Sequence, residues 1–314
     1  MDKVQQIEIQ ADQAGQRLDN FLSSLLKGVP KSRIYRMIRK GEVRVNKGRI
    51  KPEYKLCKDD LLRIPPVRVS EVKPVFAGDK QLAQVRNAII YDDKHLMVVN
   101  KPSGLAVHGG SGIRLGLIEL LRQLFPTAGF LELVHRLDRD TSGCVMIAKK
   151  RSALLNLHKQ LKSDRIDKFY LALVHGQWPR GRRLVELPLQ KNTLQSGERM
   201  VAVAPEGKPA KTAYSVINRL SGYSLLQAKP ITGRTHQIRV HCQSVGHSIA
   251  GDVKYTADQD NERSKTLGLR RLFLHAEKLV IEHPETGKPL QIEAPLAEEL
   301  QTFLQSLHHL ETAR

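Results

Sequence analysis

The sequence has few cysteines and no apolar stretch long enough to span a bilayer. Its three cysteines, Cys57, Cys144 and Cys242, are odd in number and lack a CxxC spacing. This pattern argues against disulfides and a zinc ribbon, and it favours a reducing compartment. The first residues contain no apolar segment of the kind found in a signal peptide. We therefore expect a cytoplasmic protein with no membrane partner.

Acidic residues are also scarce relative to basic ones. The chain has 51 Lys and Arg against 32 Asp and Glu, a net charge of +19. Such an excess favours a polyanionic partner, and without a membrane-spanning stretch nucleic acid is the better candidate. With 314 residues, of which 40% are hydrophobic, the chain is long enough for two globular domains.

Two short helices are predicted near the start of the chain. The first has apolar residues at helical spacing, namely Leu18, Phe21, Leu22, Leu25 and Leu26. Asp12 is its candidate cap, and Gly28 and Pro30 end it. The second helix, KSRIYRMIRK, has Ile34, Met37 and Ile38 as its buried stripe and stops at Gly41. The following EVRVNKGRIK is typical of a tight hairpin.

This helix and hairpin carry a dense basic cluster. Between Lys27 and Lys51 there are ten Lys or Arg and one acid, Glu42. A solvated helix face is the simple explanation. A phosphate-binding surface is the functional one, and we favour it because the bases lie opposite one small apolar stripe. The candidate RNA contacts are Arg33, Arg36, Arg39 and Lys40.

The remaining chain predicts an α+β fold. Residues 14–75 form the small basic domain, 76–86 a linker after the Pro-rich and charged stretch, and 87–314 the large domain. Strand pairs with tight turns outnumber strand-helix-strand units in the large domain, which favours a mixed, mainly antiparallel sheet. The polar stretch 258–265 is expected to be a surface loop.

The segment HRLDRDTSG, from His135 to Gly143, is the strongest candidate for chemistry. It is a charged loop between two apolar runs, and loops held by core strands commonly present reactive groups. Asp140 precedes Thr-Ser-Gly and is best explained as a turn residue. Asp138 is less easily explained in this way. A metal site using His135 lacks supporting ligand motifs, and a kinase-like loop lacks its Asn and Gly-rich partners. A carboxylate acting in glycosidic chemistry remains.

Four motifs in order, KPSGLAVH, HRLDRDTSG, KFYLALV and TGRTHQIRVH, resemble those of the large-subunit (RluA-type) pseudouridine synthases. GQRLDNFL and KSRIYRMIRKGEVRVNKGRIK resemble an S4-type RNA-binding module. The resemblance covers nearly all of the chain. It implies a pseudouridine synthase fold behind a small S4-like αα-hairpin domain. It also implies an isomerase that acts on uridine in RNA without metal, nucleotide or redox cofactors.

The resemblance also implies residue roles. Asp138 would be the catalytic aspartate, whether it attacks the base, attacks C1′ or assists a glycal route. Tyr170 would stack on the flipped base, although an ordinary strand aromatic is the simpler explanation of that residue. Arg239 would pair with Asp138 and keep it charged, with Arg234 as a rival for that role or a phosphate contact.

Two further roles concern the base itself. Ile238 would form an apolar wall beside it. Arg136 would enter the space that the extruded base leaves, with a salt bridge to Asp138 or Asp140 as the simpler alternative. His236 and His241 lack the spacing of metal ligands on one helix face and are interpreted as structural or RNA-contacting.

The expected partner is 23S ribosomal RNA, free or in a pre-50S particle. Nothing in the sequence requires more than a monomer. The alternative is a non-catalytic rRNA-binding factor of ribosome assembly. The joint presence of Asp138, Tyr170 and Arg239 argues against it.

Overall fold

A computed structural model describes residues 4–11, 13–26, 28–67, 75–110, 113–181, 184–193 and 199–312. The chain divides into two compact units, Met1–Val75 and Phe76–Arg314. No helix in these described ranges is both long and apolar enough to cross a bilayer.

The first unit is a pair of helices on a small antiparallel sheet. Its elements are β1 (Gln5–Glu8), α1 (Leu18–Leu25), α2 (Lys31–Arg39), β2 (Arg44–Val45) and β3 (Leu61–Ile64). The strands lie in the order β1-β3-β2. Ile34, Met37 and Ile38 of α2 are fully buried, as the apolar stripe predicted. The opposite face of α2 is therefore left to its basic residues.

The expected hairpin after α2 is only partly formed. Asn46 and Lys47 have positive φ angles of 49° and 66°, which is the backbone of a tight turn. However, the strand that pairs with β2 is β3, and not the run after the turn. Asn46 explains the difference, because its side chain accepts the Leu61 N–H at 2.8 Å. The expected cap, Asp12, lies outside the described residues, and α1 begins after Arg17.

Residues 76–86, expected as a linker, contain most of a helix that packs in the second unit. This helix, α3, spans Asp79–Asn87. Val85 is buried in the core of the second unit, and Leu82 packs against that core. With only these two apolar side chains on one face, the helix gives a weak signal in the sequence.

The second unit is built on a mixed sheet. Its other elements are β4 (Ile89–Asp92), β5 (Leu96–Lys101), α4 (Leu117–Leu124), β6 (Glu132–Leu133), β7 (Ser142–Ala148), α5 (Arg151–Lys162), β8 (Asp167–His175), β9 (Leu184–Glu186), β10 (Leu189–Thr193), β11 (Arg199–Val203), β12 (Lys211–Leu220), β13 (Tyr223–Pro230), α6 (Gln237–Ser244), α7 (Asp258–Thr266), β14 (Leu274–Glu282), β15 (Pro289–Glu293) and α8 (Glu298–Thr312). The main path is β4-β5-β7-β14-β8-β13-β12-β9, with β15 on β14 and β6 on β7. β7 and β14 run parallel, whereas β7 is antiparallel to β5 and β14 is antiparallel to β8. The predicted mixed, mainly antiparallel sheet is confirmed.

Strand β7 shows why its sequence is a continuous apolar run. Val145 and Ile147 face one core, which includes α4 and α8. Cys144, Met146 and Ala148 face the other core, which includes α5. Because successive side chains of a strand alternate between faces, a strand covered on both faces must be apolar throughout. The loop that precedes β7 is therefore attached to a strand that is buried over its whole length.

The polar stretch 258–265, expected as a loop, is the helix α7. Its first turn carries Asp258 and Asp260, and its last turn carries Arg263 and Lys265. These charges suit the helix dipole. Its buried side chains, Asn261 and Ser264, are polar, so no apolar stripe marks it as a helix.

Candidate active site

A buried lysine forms a hydrogen bond to the backbone of the loop between β6 and β7. Lys101, at the end of β5, is fully buried, and its Nζ donates hydrogen bonds to the carbonyls of Pro102, Leu105 and Arg139 at 2.8–2.9 Å. Burial lowers the pKa of Lys101 to about 7, and the nearby Arg271 adds to the effect. The Ser103 hydroxyl donates to the carbonyl of Asp140 at 2.7 Å. The KPSG turn thus holds the backbone of the reactive loop at two points.

The end of this loop has no space for a larger residue. Gly143 has a φ of 109°, and a Cβ on it would overlap the backbone of Ala276 on β14. Ser142 accepts a hydrogen bond from Arg271 Nη2 at 2.5 Å, and its Oγ is 2.9 Å from His275 Nδ1. Glycine is needed because two strands meet here with their backbones in close contact.

Asp138, in the middle of this loop, lines the cleft with its side chain one-fifth exposed. Its Oδ2 is 3.6 Å from Nη1 of Arg239, and its Oδ1 is 3.8 Å from Nε2 of His236. Each carboxylate oxygen therefore faces one side-chain nitrogen, at a distance slightly longer than a hydrogen bond. Both nitrogens belong to residues at the start of α6, about a hundred residues further along the chain.

Arg239 is held by a second carboxylate that sequence reasoning missed. Its Nε and Nη2 each donate to Asp252 at 2.7 Å, and the Asp252 side chain is fully buried. Burial alone would lower the pKa of Arg239, but the hydrogen bonds and charge of Asp252 raise it overall. This two-point pair fixes the guanidinium, so that its remaining nitrogen faces Asp138. A buried acid within AGDVKY was the available signal, but an acid after glycine also suits a turn.

Tyr170 lines the same cleft from β8. Its neighbours across the sheet are Ala228 and Ala276, whose small side chains leave room for the ring. Burial, and secondarily the charge of Asp138, raise the pKa of Tyr170 above its ordinary value. The phenol therefore stays protonated at neutral pH beside the carboxylate.

The remaining predicted residues divide between the cleft and its rim. Ile238 is buried and lines the cleft, and Arg136 is exposed there. Arg234 also lines the cleft, but its Nε donates to the Pro209 carbonyl at 3.0 Å. Of the two arginines considered as the partner of Asp138, Arg239 is thus the one that faces it.

Asp140 takes a different position from Asp138. Its carboxylate pairs with the adjacent Arg139, Nε to Oδ1, at 3.2 Å near the surface. Its carbonyl is the group that accepts the Ser103 hydroxyl. The two aspartates of the loop therefore differ in environment, and one of them helps to shape the turn.

The cleft is a basic depression of about 760 Å³ within the second unit. The cationic side chains that line it are Arg136, Lys162, Lys168, Lys229, Arg234 and Arg239. The acidic side chains that line it are Asp138, Asp164 and Asp167. Six cations against three anions would attract a phosphate-bearing ligand and bring it to Asp138. Among the described residues, no group of three or more His, Cys, Asp or Glu is arranged to hold a metal ion.

Three of the four candidate RNA contacts of the first unit lie on α2, and the fourth, Lys40, is its C-cap. Arg36, Arg39 and Lys40 are exposed. Arg33 is half-buried, with its Nη2 3.9 Å from a carboxylate oxygen of Glu42. These four side chains provide a cationic surface on a small helical module.

A mixed sheet with a basic cleft around a carboxylate, together with a separate basic module, defines an enzyme that acts on nucleic acid. The family model described as RNA pseudouridylate synthase matches residues 95–244, and the S4 domain model matches residues 16–62. The chain belongs to the RNA pseudouridylate synthase family. The family resemblance and the fold predicted from the sequence motifs are thus confirmed.

Similar proteins cover almost the entire chain. Ribosomal large subunit pseudouridine synthase C of Pasteurella multocida (strain Pm70) is 55% identical, over 97% of this chain and 94% of that protein. The protein of the same name from Escherichia coli (strain K12) is 56% identical over 96% of each. The solved structure of human RNA pseudouridylate synthase domain containing 4 is 27% identical, with a TM-score of 0.59 over 74% of this chain and 96% of that one.

Proposed function

We propose that this protein converts specific uridines of 23S ribosomal RNA to pseudouridine, with Asp138 as the catalytic carboxylate. The observation that carries the proposal is the placement of Asp138 between Arg239 and His236 in a basic cleft that also contains Tyr170. The names of the relatives from Pasteurella multocida and Escherichia coli, which cover nearly the full chain, support the large ribosomal subunit as the target.

The reaction is an isomerisation within one nucleotide. The bond between N1 of uracil and C1′ of the ribose breaks, the base turns, and a bond forms between C5 and C1′. The C5 proton leaves and N1 gains a proton, so that no atom or electron is added overall. Asp138 engages the nucleoside as an anion while the glycosidic bond breaks, and Arg239 keeps that anion paired.

The walls of the cleft suit a single base taken out of its stack. Tyr170 provides an aromatic side chain and Ile238 an aliphatic one in the lining of the cleft. Extruding a uridine costs a few kcal/mol, which contacts to the RNA must offset. Arg136 is exposed at the cleft and occupies the space that the base leaves, and Arg234 contacts the backbone phosphates.

In this proposal the first unit binds the RNA substrate. Arg33, Arg36, Arg39 and Lys40 bind phosphates of structured rRNA, largely independently of sequence. We place the RNA-binding domain within residues 14–75 and the catalytic domain in the second unit. The substrate is free 23S rRNA or a pre-50S particle, which locates the protein in the cytoplasm. We further propose that it works as a monomer.

The test compares Asp138→Asn with Asp140→Asn. Both variants remove one carboxylate from the same loop, but only Asp138 faces Arg239 and His236. Release of tritium from C5 of labelled uridine in a 23S rRNA transcript reports the reaction. Asp138→Asn is expected to lower the single-turnover rate roughly a thousandfold or more while rRNA binding is retained. Asp140→Asn should stay close to the parent. Normal isomerisation by Asp138→Asn would refute Asp138 as the catalytic carboxylate, whereas no isomerisation by the parent chain would favour a non-catalytic assembly factor.

A further inference from the structure

A histidine and a tyrosine beside Asp138 form a pair that the roles above do not use. Nδ1 of His236 is 2.7 Å from the hydroxyl of Tyr255. The His236 side chain is mostly buried, and its Nε2 points toward Oδ1 of Asp138 at 3.8 Å. The Tyr255 ring also lies against the Arg239 guanidinium, with 5.0 Å between Cζ and the ring centroid. The pair thus contacts both members of the Asp138–Arg239 ion pair.

The hydrogen bonds of Tyr255 determine which nitrogen of His236 carries the proton. The Tyr255 oxygen accepts the backbone N–H of Val201 at 3.0 Å. Its own proton is then free to be donated to Nδ1 of His236, which leaves the histidine proton on Nε2. In the other tautomer the phenol oxygen would receive two N–H groups, and its proton would have no acceptor at hydrogen-bond distance in the described part of the chain.

The backbone also holds His236 in an uncommon conformation. Its φ is 52°, in the left-handed region that few residues other than glycine adopt. The neighbouring Gln237 enforces this turn, because its amide oxygen accepts the Arg234 N–H and the Thr232 hydroxyl. Its amide nitrogen donates to the Lys211 carbonyl and to Thr212 Oγ1. Strain supported by a saturated network is typical of functional sites.

The charged groups around His236 act on it in opposite directions. Asp138 and Asp252 favour its cationic form, whereas Arg239 and Lys254 oppose it. Burial is the largest effect and lowers the pKa of His236, so the ring is neutral near pH 7. Burial also raises the pKa of Tyr255, which keeps the phenol a donor.

We infer that Tyr255 holds His236 as the Nε2–H tautomer, and that this N–H orients Oδ1 of Asp138, which makes His236 a positioning residue of the reaction. The inference rests on the proposed role of Asp138. Arg239 then fixes Oδ2 and His236 fixes Oδ1, so the plane of the carboxylate is set from two sides. The distance of 3.8 Å is expected to shorten in the complex with RNA, because catalytic hydrogen bonds are often long without substrate.

The first test needs no substrate. Nitrogen-15 spectra of histidine-labelled protein show which ring nitrogen carries the proton, and the His236 signal is identified by its loss in His236→Gln. We expect Nε2–H in the parent and a mixture of tautomers in Tyr255→Phe, which keeps the ring over Arg239 but removes the hydroxyl. Tyr223→Phe is the control, because it removes another buried tyrosine hydroxyl that bonds Ser264 instead. A proton on Nδ1 in the parent would overturn the inference.

The second test separates orientation from simple packing. His236→Gln keeps an N–H donor near the position of Nε2, whereas His236→Leu keeps the volume and loses the donor. Losing a hydrogen bond to a charged group should lower kcat roughly 10- to 100-fold in His236→Leu, with RNA affinity unchanged and His236→Gln partly restored. Equal rates for His236→Leu and the parent would overturn the inference even if Asp138→Asn is inactive. Full activity of Asp138→Asn would instead refute the proposed function, while the tautomer measurement would stand.

Discussion

Replacing the negatively charged Asp252 by neutral Asn should lower both the stability of the second unit and its activity. Asp252 is fully buried and accepts two hydrogen bonds from Arg239 and one from the backbone N–H of Lys254 at 3.0 Å. In Asp252→Asn the buried Arg239 keeps its charge and loses its counterion. Breaking a buried pair in this way typically costs about 3–5 kcal/mol of unfolding free energy. We expect about 3 kcal/mol, at the lower end of this range, because an asparagine oxygen at the Oδ1 position still accepts two of the three hydrogen bonds.

The activity should fall for a separate reason. Arg239 presents Nη1 to Asp138 because its other two nitrogens are fixed on Asp252. Once freed, the guanidinium can turn onto Asp138 or toward solvent, and the geometry at the carboxylate is lost. A misplacement of this size commonly costs about a hundredfold in rate. Urea unfolding measures the first effect, and single-turnover tritium release, at a temperature where the variant is folded, measures the second.

The matched control is Asp92→Asn. Asp92 forms an ion pair with Lys149 at 2.6 Å, shorter than the Arg239–Asp252 pair, but its side chain is 38% exposed. Exposed pairs contribute about 0–1 kcal/mol, so this variant should lose little stability and no activity. If Asp252→Asn behaves like Asp92→Asn in both assays, the reasoning that Asp252 fixes Arg239 is refuted.

Three further predictions concern the loop, its pH response and the first unit. Gly143→Ala should lower the unfolding free energy, measured in urea, by more than about 3 kcal/mol, because the new Cβ overlaps the Ala276 backbone at a positive φ. Gly129→Ala is the control, since the space around Gly129 is open, and it should lower the unfolding free energy by less than about 1 kcal/mol. Equal losses of unfolding free energy in the two variants would contradict this prediction. Burial lowers the pKa of His135 to about 3 in the folded protein, where its Nε2 accepts the Met146 N–H. In the unfolded chain the same imidazole has an ordinary pKa of about 6.5, so as the pH falls the unfolded chain binds this proton before the folded protein does. The unfolding free energy should therefore fall between pH 6.5 and 5 by up to about 1.4 kcal/mol per pH unit more in the parent than in His135→Gln, and identical slopes would refute it. Changing Arg36, Arg39 and Lys40 to Gln should weaken rRNA binding and reduce the slope of log affinity against log salt by about 2–3, whereas an unchanged slope would exclude these residues as phosphate contacts.

The sequence predicted the parts of the fold that have strong periodic patterns. The buried stripe of α2 and the apolar run of β7 are both formed by residues whose environment repeats along the chain. Helix α7 was missed because its buried side chains, Asn261 and Ser264, are polar. The pairing of β2 with β3 was missed because it depends on a hydrogen bond between Asn46 and Leu61, fifteen residues apart.

The residues of the candidate site also divide into those that a sequence pattern identifies and those that only the folded chain identifies. Asp138 stood out because its loop is charged between two apolar runs, and Arg239 was chosen by resemblance to the family. Asp252 and Tyr255 carry no local pattern, since their importance arises from contacts with Arg239 and His236 that only the folded chain brings together. In the sequence Lys101 is only part of the KPSGLAVH motif, whereas the structure shows it holding the backbone of the reactive loop.

The most direct test of the proposed function is a map of pseudouridines in 23S rRNA from cells that lack this protein. We expect a small set of positions to lose pseudouridine in the deletion strain. The parent chain and Asp140→Asn should restore every one of them, and Asp138→Asn should restore none although it still binds rRNA. Restoration by Asp138→Asn, or an unchanged map in the deletion strain, would contradict the account.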